Sequence, residues 1–144
     1  MTFEELQNEI EKDLAMDDTQ LDMESLRIPQ LHNKYLKYLY SEKLSLKKLR
    51  NDLGELSRVK HEYYTGKMDE DSLKERGWEP FQLKVLRNDI DMYLDSDKDI
   101  IRLRSRIQLQ EERVDYLEAV VKGIANRGWL IRNAIDWKKF LGGV

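Results

Sequence analysis

Three observations predict an all-α, elongated protein of long amphipathic helices. Apolar residues recur at intervals of three and four along most of the 144 residues. Period-2 alternation of useful length is absent, so strands find no support. The chain is 37% charged and 40% hydrophobic with only two prolines, a mixture typical of surface-rich helices. Such a chain spreads its surface over extended helices or over contacts between subunits.

The elements follow in order. Thr2 and Glu5 have capping-box spacing, and Phe3, Leu6, Ile10 and Leu14 continue a first helix over about 3–14. Asp17-Asp18-Thr19 reads as its exit, or as the cap of a short turn through Leu21 and Leu26. Pro29 suits a first helical turn, where a missing N–H costs nothing, and nothing breaks the pattern before Thr65-Gly66. Residues 29–64 are therefore expected as one helix of roughly 50 Å. Its positions from Leu46 to Leu56 form a heptad seam that contains Gly54. Residues 65–82 are the least regular, with one helical turn expected near 71–76 ending at Gly77. Leu83, Leu86, Ile90 and Tyr93 suggest another amphipathic stretch, and Ser96 with Asp99 a second capping pair. The cleanest seam follows: Ile100, Leu103, Ile107, Gln110, Val114, Leu117, Val121 and Ile124. Asn126-Arg127-Gly128 is expected to close that helix and 129–141 to form the last one.

Composition excludes several chemistries. Without cysteine there is no disulfide, thiolate metal site or thiol nucleophile. Phosphate-loop and nucleophile-elbow motifs are absent. His32 and His61 stand far apart, and His61-Glu62 lacks the second histidine of a zincin helix. Asp95, Asp97 and Asp99 lack the glycine and final glutamate of a calcium loop, so helix capping accounts for them better. The expectation is a protein without enzymatic activity, cofactor or metal. No apolar run nears the roughly 20 residues of a membrane span, and the acidic opening segment lacks a signal peptide's pattern, so a soluble intracellular protein is expected.

The net charge of −3 conceals a polarity. Residues 1–24 hold nine acids and one lysine, and residues 25–60 hold nine Lys/Arg and three acids. Lys43, Lys47, Lys48, Arg50, Arg58 and Lys60 crowd the second half of the long helix, followed by Tyr63, Tyr64 and Lys67. Cations neutralise backbone phosphates, and aromatic faces stack unpaired bases at about 1–3 kcal/mol each. These residues either form a path for a single strand or make a solvated helix face with two core tyrosines. The acidic segment could shield that zone or meet a basic partner. The 100–124 seam likewise has two readings, packing within one chain or against another subunit. Its length, its mixed flanks (Arg102, Arg104, Arg106, Arg113 against Glu111, Glu112, Glu118) and a core Gln110 favour assembly. Rival readings are a helical structural or adaptor oligomer that does not bind nucleic acid, and a regulatory or enzymatic domain acting on DNA.

The run Arg58-Val-Lys60-His-Glu-Tyr-Tyr-Thr-Gly66 resembles the central motif of the phage UvsY recombination mediators. Phe3-Glu-Glu-Leu-Gln-Asn-Glu-Ile-Glu-Lys-Asp-Leu14 is similar to the family's opening helix. Asp95-Ser-Asp-Lys-Asp-Ile100 and Asn126-Arg-Gly-Trp-Leu-Ile-Arg-Asn-Ala-Ile135 resemble its later segments, in order along the chain. The resemblance implies single-stranded DNA binding in homologous recombination and in recombination-dependent replication and repair. It implies a ring-like homo-oligomer, a heptamer, assembled through the C-terminal region. It also implies loading of a RecA-like recombinase onto DNA covered by the phage single-strand-binding protein, in the host cytoplasm. DNA contact is implied for Arg58 and Lys60. The family's type member carries Lys-x-Arg where this chain has Arg-x-Lys, which keeps the charge but not the geometry. Residues two apart also do not share a helix face. On this reading residues 1–66 form the DNA-binding region and residues 67–144 the oligomerisation region.

Overall fold

The computed structural model describes residues 1–81 and 83–143. Gln82, the end of the irregular 65–82 stretch, and Val144 lie outside the described residues. The described residues form six α-helices, one 3-10 turn and no strand: α1 (Phe3–Leu14), α2 (Leu21–Tyr64), α3 (Glu70–Arg76), the 3-10 turn (Arg87–Asp89), α4 (Ile90–Asp95), α5 (Lys98–Ala125) and α6 (Arg127–Leu141). The all-α expectation holds. Among the described residues no helix is long and apolar enough to cross a membrane.

Two compact units are present, residues 1–43 with 112–144, and residues 44–111. This division differs from the expected one at residue 66. The reason is covalent: α2 and α5 each contribute one half to each unit, so no cut between helices separates the two.

In the first unit the capping box of α1 forms as expected, Glu5 N–H donating to Thr2 Oγ1 at 3.1 Å and Thr2 N–H to Glu5 Oε2 at 2.8 Å. Leu6, Ile10, Leu21, Leu31, Tyr35, Leu39, Val114, Leu117, Ile124 and Ile131 are buried. The acids of α1 tie it to α2. Asp13 accepts from Lys34 Nζ at 2.5 Å and Tyr35 Oη at 2.7 Å, and Glu9 pairs with Lys34 at 2.9 Å. Burial alone would raise the Asp13 carboxyl, but the Lys34 and Tyr35 hydrogen bonds outweigh it and hold the group below the ordinary carboxylate value. Glu24 and Arg127 are both buried; Arg27 meets Glu24 at 2.9 Å, and Arg127 donates to the Leu14 carbonyl at 3.0 Å.

Two boundaries differ from expectation. Helix α2 begins at Leu21, so Pro29 lies inside it rather than in its first turn. Proline there removes the donor to the Ser25 carbonyl, at about 3 kcal/mol in an unsupported helix. Buried Leu21 and Glu24 before it, and Leu31 and Tyr35 after it, hold both sides in register. At the other end only Asn126 interrupts the helices, and Gly128 is the second residue of α6. Its φ is not positive, so the Asn-Arg-Gly run makes a sharp join rather than a left-handed cap.

The long seam serves the chain itself. Ile100 and Ile107 are buried in the second unit, and Val114, Leu117 and Ile124 in the first. Its deepest side chains are satisfied within one chain, because intramolecular packing takes up the same stripe an assembly would use. Apolar surface remains exposed on α6 instead: Trp129, Leu130, Trp137, Phe140 and Leu141.

Candidate nucleic-acid interface

The candidate cations lie in the second unit, on α2 and just past its end. Lys47, Lys48, Arg50, Arg58 and Lys67 are all exposed. Arg50 pairs with Glu111 at 2.9 Å and Arg58 with Glu62 at 3.1 Å, both on the surface, where such pairs are worth little. Lys47, Lys48 and Lys67 have no carboxylate partner among the described residues. At 100° per residue, Lys47 and Arg58 fall within about 20° of one another on α2, roughly 16 Å apart along its axis. Lys48 aligns in the same way with Val59. Lys47 and Arg58 therefore form one exposed row, and Lys48 stands about 100° around the helix from Lys47.

Lys60 differs from the expectation of phosphate contact. It lies about 200° around the helix from Arg58, and its side chain is only 7% exposed. Its Nζ meets Asp97 Oδ2 at 3.1 Å and Asp99 Oδ2 at 2.9 Å, and stands 4.0 Å from the Trp78 ring centre. The tyrosines share this interior. Tyr63 Oη donates to the Glu79 carbonyl at 2.7 Å, and Tyr64 Oη to Asp97 Oδ2 at 2.6 Å. Tyr63 meets Trp78, and Tyr64 meets Phe81 and Tyr93, in edge or tilted contacts with centres 5.0–5.7 Å apart. Gly66, at φ 74°, makes this arrangement possible. It ends α2 with Lys67 N–H donating back to the Glu62 carbonyl at 2.9 Å, so the chain folds over the tyrosines. Gly77 ends α3 in the same conformation, φ 68°, with Trp78 N–H donating to the Leu73 carbonyl at 3.0 Å.

Asp97 organises the cluster: of Asp95, Asp97 and Asp99, expected to cap the next helix, it is the one that caps α5, while its contacts with Lys60 and Tyr64 were not visible in sequence spacing. Its Oδ1 accepts from Asp99 N–H at 2.9 Å and Ile100 N–H at 3.0 Å, which makes Asp97 the cap of α5. Ser96, the expected cap, instead donates from Oγ to the Met92 carbonyl at 2.8 Å and closes α4. The signal was present: Asp97 stands three residues before Ile100, the first residue of the seam. Burial by itself would raise the Asp97 carboxyl, but hydrogen bonds from Tyr64, the Ile100 N–H and Lys60 hold it below its usual value. A lowered folded value means that Asp97 stabilises the fold above its unfolded pKa of about 3.9 and loses that contribution as pH falls through the folded value. Acid unfolding of Asp97→Asn followed by circular dichroism should therefore show a flatter pH dependence below about pH 4 than the wild type. An unchanged acid limb would contradict this role for Asp97.

The same phenol–carboxylate bond acts on Tyr64, whose hydroxyl is raised above its ordinary value by burial and by Asp97. Among the described residues no group of three or more His, Cys, Asp or Glu could hold a metal ion.

A groove of about 510 Å³ runs beside Arg58, bounded by α2, α5 and α3. It is lined by Asp52, Glu55 and Val59 of α2, Asp99, Arg102, Leu103 and Arg106 of α5, and Arg76 of α3. Sequence spacing could not bring Arg76 to Arg58, because α3 returns toward α2 only through the turn at Gly66.

Residues 9–144 match the family described as recombination, repair and ssDNA binding protein UvsY. The chain is 25% identical over 143 residues to the recombination protein uvsY of Enterobacteria phage T4, covering 99% of each. Its fold is similar to crystal structures of the bacteriophage T4 recombination mediator protein UvsY. For lattice type IV the TM-score is 0.84 at 24% identity, covering 97% of this chain and 99% of the other. For lattice type II it is 0.83 at 24% identity, covering 99% and 98%. A family match spanning nearly the whole chain, on an all-helical fold with a row of exposed cations, leads to one conclusion: this chain belongs to the UvsY family of recombination, repair and single-stranded-DNA-binding proteins.

Proposed function

We propose that the chain works as a recombination mediator in the host cytoplasm. It holds single-stranded DNA on an assembled homo-oligomer, a heptameric ring, and eases the exchange of the phage single-strand-binding protein for a RecA-like recombinase. It makes and breaks no covalent bond; its contribution is grip and geometry. The observation that carries this reading is the set of exposed cations Lys47, Lys48, Arg58 and Lys67 in the 44–111 unit, with Arg50 beside them. Glu9 and Asp13 of α1 are committed to Lys34 in the other unit, and Lys47, Lys48 and Lys67 have no carboxylate partner among the described residues.

Single subunits offer few phosphate contacts. Repetition around an oligomer turns each later contact into an intramolecular one, and avidity rises without new chemistry. Lys60, Tyr63 and Tyr64 serve this grip from beneath, by fixing the end of α2 and the loop that carries Trp78. The exposed apolar face of α6 supports assembly through the C-terminal region.

Titration of a labelled oligonucleotide at increasing salt tests the reading. Binding should weaken steeply with salt, and log K against log salt should flatten by about 0.7 for each phosphate that a variant no longer neutralises. In Lys47→Ala/Lys48→Ala/Arg58→Ala the affinity should fall on every sequence alike. Wild-type affinity insensitive to salt, or equal in the triple variant, would refute direct phosphate contact by these residues.

A further inference from the structure

We propose that the groove bounded by Arg58, Arg76, Arg102 and Arg106 is a second anchoring site for the sugar-phosphate backbone of the single strand. This rests on the DNA-binding reading above and extends it from α2 to α3 and α5.

Four guanidinium groups from three helices border one concavity. Arg76, Arg102 and Arg106 are all exposed. Arg76 has a ring contact with Trp78, 5.2 Å from its centre, and no carboxylate partner among the described residues. Arg106 likewise has no carboxylate partner among them. Arg102 lies 3.8 Å from Asp99, at the outer limit of an ion pair. Unpaired arginines cost little on a surface, but gathering them in a groove raises the local positive potential, and their planar forks match phosphate oxygens.

Three carboxylates share the lining: Asp52, Glu55 and Asp99. Asp99 is offset from behind, since its Oδ2 takes the buried Lys60 ammonium at 2.9 Å. This gives Lys60 a part in the DNA site that needs no contact with DNA: it cancels an acid that would repel the strand. Asp52 and Glu55 both lie on the α2 wall, so the strand is favoured along the α5 and α3 side, where Arg102, Arg106 and Arg76 stand. Arg102 and Arg106 are one helical turn apart on the same face of α5, a spacing that serves successive phosphates rather than one. Lys48 shares the α2 face of Asp52, Glu55 and Val59 and continues the basic border beyond the groove.

The test is binding of fluorescein-labelled oligo-dT to the full chain across a salt series, with particle mass followed by light scattering. Arg102→Gln/Arg106→Gln and Arg76→Gln are compared with Lys84→Gln/Arg87→Gln, which removes two exposed charges elsewhere in the same unit. Expected is wild-type mass throughout, with the salt slope of the Arg102/Arg106 variant flattened by about 1.4 and that of Arg76→Gln by about 0.7. The Lys84/Arg87 control should keep the wild-type slope. Arg102→Lys/Arg106→Lys should retain most of the slope. Wild-type binding with unchanged slopes in the groove variants, or an equal loss in the control, overturns the groove and leaves the DNA-binding reading standing. Failure of the wild type itself to bind oligo-dT defeats that reading instead. Strand binding intact in the groove variants, with a polyglutamate peptide captured only by the wild type, would assign the groove to an acidic protein and overturn the proposal.

Discussion

Lys60→Ala should lose about 3–5 kcal/mol of folding stability, whereas Arg58→Ala, two residues away, should change it by no more than about 0.5 kcal/mol. The difference comes from surroundings. The Arg58 side chain is 70% exposed and shares one surface carboxylate. The Lys60 ammonium lies between Asp97 and Asp99, and the Asp97 side chain is only 4% exposed. Removing the cation leaves a buried carboxylate that still caps α5 and still accepts from Tyr64. An uncompensated buried charge is far costlier than the pair is valuable. Urea unfolding of both variants at one protein concentration provides the measurement, since an oligomer's stability depends on concentration. Equal midpoints would mean that the Lys60 ammonium is not held where the structure places it. The consequence for DNA binding is practical. A Lys60→Ala variant that binds weakly reports misfolding as much as the absence of a phosphate partner, so Arg58 and the groove arginines are the informative positions.

Trp129→Glu/Trp137→Glu should abolish assembly at concentrations where the wild type is oligomeric, and lower single-strand affinity by about 10²-fold or more. Both indoles are exposed, 65% and 60%, and Trp137 stacks on Phe140 with ring centres 5.5 Å apart. Aromatics of this size bury 150–250 Å² each when covered, and leaving several in water on one short helix is unfavourable unless another copy covers them. The helix should survive, because its buried side chain Ile131 is untouched. Sedimentation gives the mass, and far-UV circular dichroism checks helicity. A variant that keeps wild-type mass would move the assembly surface away from α6. A variant that becomes monomeric yet binds DNA with wild-type affinity would remove avidity from the mechanism.

Local rules made much of this protein legible. The capping box at Thr2 and Glu5, the turn ended by Gly77 and the stripe from Ile100 to Ile124 all depend on residues within a turn or two of one another, and all formed. So did the ordered motifs from Phe3 to Ile135 that mark the family. Boundaries failed where a tertiary contact outweighed a local preference. Pro29 reads as a helix start, yet Leu21 and Glu24 are buried ahead of it and extend α2 backwards. Leu83 and Leu86 read as a helical stripe, yet both stay exposed and only a 3-10 turn and α4 form nearby.

The amino-acid order by itself determined the helices, their charge asymmetry and the family, because periodicity, capping and motif are properties of neighbours along the chain. Tertiary structure alone decided which cations remain available. Lys60 and Arg58 are alike in charge and nearly adjacent, but α2 directs one toward Asp97 and the other toward solvent. It also brought Arg76 beside Arg102 and Arg106, at sequence separations too large for any spacing rule. The physical reason is that a charge is worth what its surroundings leave unscreened and unpaired, and those surroundings come from helices distant in sequence.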